Sequence, residues 1–125
     1  MKGAIFDTGA LIAYERGDRI VMRMVRLAID LKFLFWVPAG AVGQAWRNGR
    51  IQARLAHLLN SAVVEVVPLT DAQAREAGQL CAATNTRDVI DASVVLLARE
   101  KGVCAVTSDI DDLRRLDPDL ELIRV

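Results

Sequence analysis

The stretch DVIDASVVLLAREKGVCAVTSDIDDL, Asp88–Leu113, decides the fold. Asp88–Lys101 reads as a long apolar helix, and Gly102 stands where a left-handed cap would end it. Val103–Val106 follows at once as a short apolar strand, with Thr107, Ser108 and Asp109 directly beyond it. The same kind of strand recurs at Gly3–Phe6, Phe33–Val37, Val63–Val67 and Leu120–Ile123. Each run is rich in β-branched or aromatic residues and bounded by breakers or polar residues. Their apolar residues are nearly continuous rather than alternating, which suits a sheet buried on both faces and therefore a parallel one.

Helical patterns fill the intervals. Arg19–Leu31 spaces Ile20, Met24, Leu27 and Leu31 for one helix face. Thr8–Tyr14 reads as a short helix, and Gly49–Leu59 and Thr70–Ala83 as longer ones, the last opened by a Thr70/Gln73 capping box. Strands alternating with helices predict a three-layer α/β/α domain around a central parallel sheet of about five strands. A length of 125 residues allows one domain, 1–125.

Apolar residues make up 53% and charged residues 26%, a globular balance that excludes a disordered chain. Cys81 and Cys104 form no CxxC and have no histidine at ligand spacing, so they read as free thiols rather than a disulfide or zinc site. Asp7 interrupts any signal-peptide apolar region in MKGAIFDTGA. The uncharged run from Phe33 towards Arg47 contains Pro38 and Gly40 and falls short of a membrane span. These features predict a cytoplasmic protein with no membrane partner.

Sixteen basic and sixteen acidic residues cancel, which speaks against a strongly basic nucleic-acid binder. The halves differ, however. Residues 1–60 hold nine basic and four acidic side chains, a net of +5, and residues 61–125 hold seven and twelve, a net of −5. A basic surface beside an acidic site gives such a split, and so does scattered surface charge.

In open parallel sheets, functional groups gather beyond the carboxyl ends of the strands. That rule selects Asp7 after the first strand, and Thr107, Ser108 and Asp109 after the fourth. Asp88 and Asp91 open a helix three residues apart, and Asp112 lies three beyond Asp109. Taken singly, Asp7, Asp88 and Asp109 suit helix N-caps. Taken together, carboxylates at one end of a sheet repel each other unless a cation neutralises them. Oxygen-only donor sets select Mg²⁺ or Mn²⁺ over zinc, and such ions promote phosphodiester hydrolysis.

With AIFDTGALIAY (Ala4–Tyr14), VPAGAVGQAWR (Val37–Arg47) and Asp88–Leu113 in order, the chain resembles the PIN-domain ribonucleases. It is most similar to the VapC-type toxins of type II toxin–antitoxin pairs, and the resemblance covers essentially the whole chain. Sixteen residues separate Asp91 from Thr107, as in the family, so Asp91 is the matching acid and Asp88 an additional one. The resemblance implies a PIN-like fold and a Mg²⁺-dependent endoribonuclease, with Mn²⁺ as an alternative ion, that cleaves RNA with metal-activated water. It implies Asp7, Asp91 and Asp109 as catalytic metal ligands, with Asp88 and Asp112 as further ligands or as acceptors beside them. Thr8, Thr107 and Ser108 would orient carboxylates or phosphate, ordinary turn capping being the alternative. It also implies a homodimer, a cognate antitoxin whose loss frees the toxin to stop growth, and an RNA substrate that is tRNA, rRNA or mRNA.

One position departs from the family. The helix after the second strand usually carries a glutamate, and here Gln44 stands there, with a carbonyl oxygen but no charge. The second reading is therefore a catalytically weak or inactive PIN-fold binding module. A third, a phosphatase of the haloacid-dehalogenase type, needs an aspartate two residues after Asp7; Gly9 stands there, and no matching lysine is evident.

An acidic site repels RNA, so phosphate contacts must come from elsewhere. Arg47, Arg50 and Arg54 fall at helical spacings and predict one basic stripe, and Arg16, Arg19, Arg23 and Arg26 predict another. By resemblance, the antitoxin would lay an apolar segment near the first helices and reach the acids with a basic side chain. Tyr14, Trp36 and Trp46 could line that surface or pack in the core. His57 has no acidic or hydroxyl neighbour in a catalytic pattern and reads as structural.

Overall fold

The computed structural model describes residues 2–125. Its strands are β1 (Gly3–Phe6), β2 (Leu34–Pro38), β3 (Val64–Val67), β4 (Cys104–Thr107) and β5 (Leu122–Arg124). All pairings are parallel, in the order β3-β2-β1-β4-β5. The chain steps outward from β1 through β2 to β3, then returns to the other side of β1 for β4 and β5. The connections therefore diverge between β1 and β4, and a crevice opens there at the carboxyl ends.

Successive strand residues point to opposite faces, and both faces are covered. Phe6, Phe35, Val37 and Val106 enter one core with α1 (Thr8–Glu15), α2 (Arg19–Leu31), α3 (Ala39–Ala45) and α4 (Ala53–Leu59). Ile5, Trp36 and Ala105 enter the other with α5 (Asp71–Thr84), α6 (Val89–Lys101) and α7 (Ile110–Leu116). The ring of Phe6 stacks on Phe35 with centroids 4.2 Å apart, so the strand that ends at Asp7 is pinned one residue before it. Arg99 Nε donates to Asp117 Oδ2 at 2.9 Å and ties α6 to the end of α7. Both cysteines are free thiols. No helix among the described residues is long and apolar enough to cross a membrane.

The caps follow the sequence. Gly102 ends α6 at φ +66, the left-handed region that glycine enters without penalty. Thr70 and Gln73 form both bonds of a capping box. Two helical expectations need correction. The helix expected over Gly49–Leu59 begins only at Ala53. Gln52 Oε1 takes the N–H groups of Arg47 and Asn48 at 2.7 and 2.8 Å, and Asn48 Oδ1 takes that of Arg50 at 3.0 Å, so side chains compete with the helical ladder through this segment.

The second correction concerns α2. Its buried stripe is Val21, Val25 and Ala28, whereas Ile20, Leu27 and Leu31 lie about half exposed. Apolar side chains occupy two adjoining stripes of this helix. The smaller ones face the core, where they let the helix lie close. Of the three aromatic residues considered for a partner surface, Tyr14 and Trp36 are buried, Trp36 beneath Lys101 with its Nζ 5.3 Å from the ring centre, and Trp46 alone is exposed. His57 lies exposed in the last turn of α4.

Candidate active site

Asp7 leaves β1 at the β1/β4 crevice. Its N–H donates to Val106 O at 3.3 Å, which fastens it to β4, and its Oδ1 accepts from Ala10 N at 2.9 Å, which caps α1. The carboxylate is 2% exposed. Burial pushes it from an ordinary 3.8 up to about 6, against hydrogen bonds from the Thr107 hydroxyl and the Ala10 amide and with the repulsion of Asp109. Thr107 is itself fully buried, and its hydroxyl accepts from Asp109 N at 2.8 Å. One hydroxyl thus shapes the turn after β4 and holds down the pKa of the acid that follows β1.

Asp91 sits in the first turn of α6, half-buried. Its carboxyl is pushed from 3.8 to about 7 by burial first, then by the charges of Asp88, Asp7, Asp109 and Asp112. The five aspartates selected in the sequence therefore share one electrostatic environment, drawn from the ends of β1 and β4 and the starts of α6 and α7. Their capping roles separate here. Asp88 caps α6 by accepting from Ile90 N and Asp91 N at 3.0 and 2.9 Å, whereas Asp109 stands at the N-cap of α7 without a side-chain cap bond. Capping thus explains Asp7 and Asp88 in part and leaves Asp91 and Asp109 unexplained.

The other positions fall around these acids. The Thr8 hydroxyl donates to Gln44 Oε1 and joins α1 to α3. Ser108 presses on Gly9, a contact the sequence reading missed. A Cβ at position 9 would lie 2.1 Å from Ser108 Oγ and 3.0 Å from its backbone nitrogen, so only glycine lets the β4–α7 turn approach α1 this closely. Gly40 plays the same part towards α6, since a Cβ there would meet Ile90 Cγ1 at 2.9 Å. A glycine two residues after a strand-terminal aspartate was the available signal.

The arginines are not one stripe. Only Arg54 lies on α4; Arg47 and Arg50 are in the preceding segment, because the helix starts late. Arg47 donates to Gly43 O and Trp46 O, and Arg54 to Glu15 O, so both satisfy carbonyls at helix ends. Gln52, 6% exposed and also missed in the sequence, braces this corner by donating to Glu15 and to Ala45 O.

Among the described residues, no three His, Cys, Asp or Glu side chains stand close enough to enclose a metal ion. The donor chemistry nevertheless fits a hard divalent cation. The available ligands are carboxylate oxygens, and Asp91 is raised by burial and then by four like charges.

The raised carboxyl of Asp7 makes a stability prediction. The folded state holds this proton more tightly than the unfolded chain, so its stabilising contribution is complete below about pH 4 and is lost as the pH rises through about 6. Asn caps a helix as well as Asp. Asp7→Asn is therefore expected to be more stable to urea than wild type at pH 8, by about 3 kcal/mol, with the gap closing towards pH 4. Urea midpoints across that range check it, and a gap of constant size would contradict the cause.

A doubly covered parallel sheet with acids gathered at the switch between β1 and β4 defines an α/β domain with an acidic end, and its family is clear: the PIN domain model matches residues 4–118, and the chain belongs to the PIN domain family. Solved structures to which it is similar in fold include toxin–antitoxin proteins. Over 98% of both chains it superposes on VapBC2 from Rickettsia felis, bound to a DNA fragment from its promoter, with TM-score 0.71 at 13% identity. A toxin–antitoxin complex from Klebsiella pneumoniae gives 0.69 at 12% identity, over 96% of this chain and 95% of that one. VapBC-5 from Mycobacterium tuberculosis gives 0.58 at 23% identity over the whole of both chains. No curated protein sequence matches the chain.

Proposed function

We propose that this protein is the toxin of a type II toxin–antitoxin pair, acting in the cytoplasm as a Mg²⁺- or Mn²⁺-dependent endoribonuclease. The observation that carries the reading is Asp91, half-buried, pushed up by that burial and then by the charges of Asp88, Asp7, Asp109 and Asp112, and in none of the ion pairs among the described residues. Structural carboxylates are normally neutralised by caps or ion pairs, and a set left in mutual repulsion suits a cation. Asp7, Asp91 and Asp109 would hold the ion, with Asp88 and Asp112 beside them. A divalent cation there would lower the pKa of a water and neutralise charge on phosphoryl oxygens. The chain's own part is positional. Thr107 holds the Asp109 turn and lowers the pKa of Asp7, Gly9 admits Ser108 against α1, and Thr8 fixes the Gln44 amide.

The test is incubation of purified, partner-free protein with structured RNAs, with Mg²⁺, with Mn²⁺ and with chelator, beside Asp7→Asn. Cleavage that needs the ion and is lost in the variant supports the reading. Cleavage indifferent to both would sink it.

The second reading, an inactive PIN-fold binding module, rests on Gln44. Its carbonyl oxygen already accepts from Thr8, and it brings no charge to a cation. Gln44→Glu is expected to lower the Mg²⁺ concentration for half-maximal cleavage by about tenfold, the effect of about 1.4 kcal/mol from one added carboxylate. A Mg²⁺ titration of initial rates decides it; an unchanged midpoint would place residue 44 outside the ion's reach.

The partner would be an antitoxin whose apolar segment covers Ile20, Leu27 and Leu31 of α2 and whose basic side chain enters the acidic crevice. The active form would be a homodimer of one-domain chains, 1–125.

A further inference from the structure

Asp88, Asp91 and Asp112 form only one part of an open cleft of about 520 Å³. Thr84 at the end of α5, residues 85–87 of the connection to α6, and Arg115 of α7 supply most of the remaining wall. The connection is fixed from within. Asn85 ends α5 at φ +57, a left-handed conformation that asparagine tolerates. Thr86 N–H donates to Cys81 O at 2.9 Å, and the Thr84 hydroxyl donates to Leu80 O at 2.8 Å while lying 3.1 Å from that of Thr86.

Two cations stand on this braced wall with little to hold them. Arg87 takes part in none of the three ion pairs among the described residues, although Asp88 is its chain neighbour. Arg115 reaches Asp112 only at 4.0 Å, with both side chains largely exposed. So loose an exposed pair contributes little, and its guanidinium is available to a better anion. Arg47 and Arg54, by contrast, are engaged with helix-end carbonyls on the α1/α3/α4 side.

A ligand that fits this cleft must carry an anion for the arginines and must also approach the acids. A phosphodiester meets the first demand, since guanidinium binds its oxygens bidentately, and would meet the second where a cation neutralises the acids. The volume falls in the range of about 300–1,000 Å³ typical of sites for single small molecules, so it takes one nucleotide of an unpaired strand and not a duplex. We propose that Arg87 and Arg115 form the phosphate subsite for the nucleotide next to the scissile bond in a single-stranded RNA, with the Asn85–Thr86 turn beside its sugar. This rests on the nuclease reading and extends it, by naming the residues that hold the substrate and the side of the acids on which they hold it.

The test measures binding of a short fluorescent single-stranded oligoribonucleotide by anisotropy, in chelator so that no turnover intervenes, across a salt series. Wild type is compared with Arg87→Ala, Arg115→Ala, the double variant and the two Arg→Lys variants; circular dichroism confirms folding, which these exposed sites do not govern. Each alanine is expected to weaken binding about tenfold at low salt. It should also flatten the slope of log affinity against log salt by about 0.7, one phosphate contact on a single strand. Lysine should keep the slope and recover only part of the affinity, because it is a point charge without the fork. In Mg²⁺, the alanine variants should raise KM with kcat nearly unchanged. Equal affinity and slope in wild type and double variant, with wild type still cleaving, would overturn the subsite and leave the nuclease reading intact. Weakened binding in the variants of a protein that cleaves nothing would keep Arg87 and Arg115 as a phosphate site for single-stranded RNA but overturn its place beside a scissile bond, and the nuclease reading with it.

Discussion

Asp91→Asn is expected to reduce RNA cleavage by about a thousandfold while leaving the fold intact. The substitution keeps the shape and removes one charge from the centre of the set, where Asp91 feels Asp88, Asp7, Asp109 and Asp112 together. Cation stabilisation of the developing phosphoryl charge is worth several kcal/mol, and each 1.36 kcal/mol is tenfold in rate. Relief of repulsion should meanwhile make the ion-free variant at least as stable as wild type near neutral pH. Single-turnover rates and a urea melt on the same preparation separate the two effects. A variant that loses activity because it unfolds, or that keeps its activity, would contradict the account.

Phe6→Ala is expected to have the opposite signature, a loss of about 3–5 kcal/mol of stability, which is the usual cost of removing a fully buried aromatic side chain. Phe6 is 0% exposed, stacks on Phe35, and belongs to the residue pair that positions Asp7. The urea midpoint should fall sharply at every pH, because no titrating group is involved. Protein that remains folded should retain its requirement for the divalent ion. A fall of under 1 kcal/mol would mean that β1 is held by its neighbours and not by this ring.

These two variants mark what the sequence discloses and what it does not. Continuous apolar runs fix a doubly buried parallel sheet, because each strand residue must find a core on one side or the other, as Ile5 and Phe6 do. The end-of-strand rule then finds Asp7 and Asp109 without any coordinate, and the i,i+3 spacings add Asp88 and Asp112. What fails is the choice between equivalent local patterns. Helix α2 carries two apolar stripes, and periodicity does not say which one meets the sheet; Ile20, Leu27 and Leu31 are left outside because Val21, Val25 and Ala28 pack closer. The Arg47–Arg54 spacing suggests a helical stripe, but the Gln52 side chain claims the amides that a helix would need. Contacts between distant segments leave weaker traces still. Gly9 beneath Ser108, and Arg87 and Arg115 lining one cleft, depend on how α1, α6 and α7 converge, which no local window contains.

The central claim is that water, activated by a cation held among these aspartates, breaks the RNA chain. The ends of the cleaved RNA test this most directly, because attack by water and attack by the neighbouring 2′-hydroxyl leave different products. Purified wild-type protein in Mg²⁺ is predicted to yield linear phosphate and hydroxyl ends, with no 2′,3′-cyclic phosphate and no cleavage in chelator. Cyclic phosphate ends formed equally with and without the ion would contradict it.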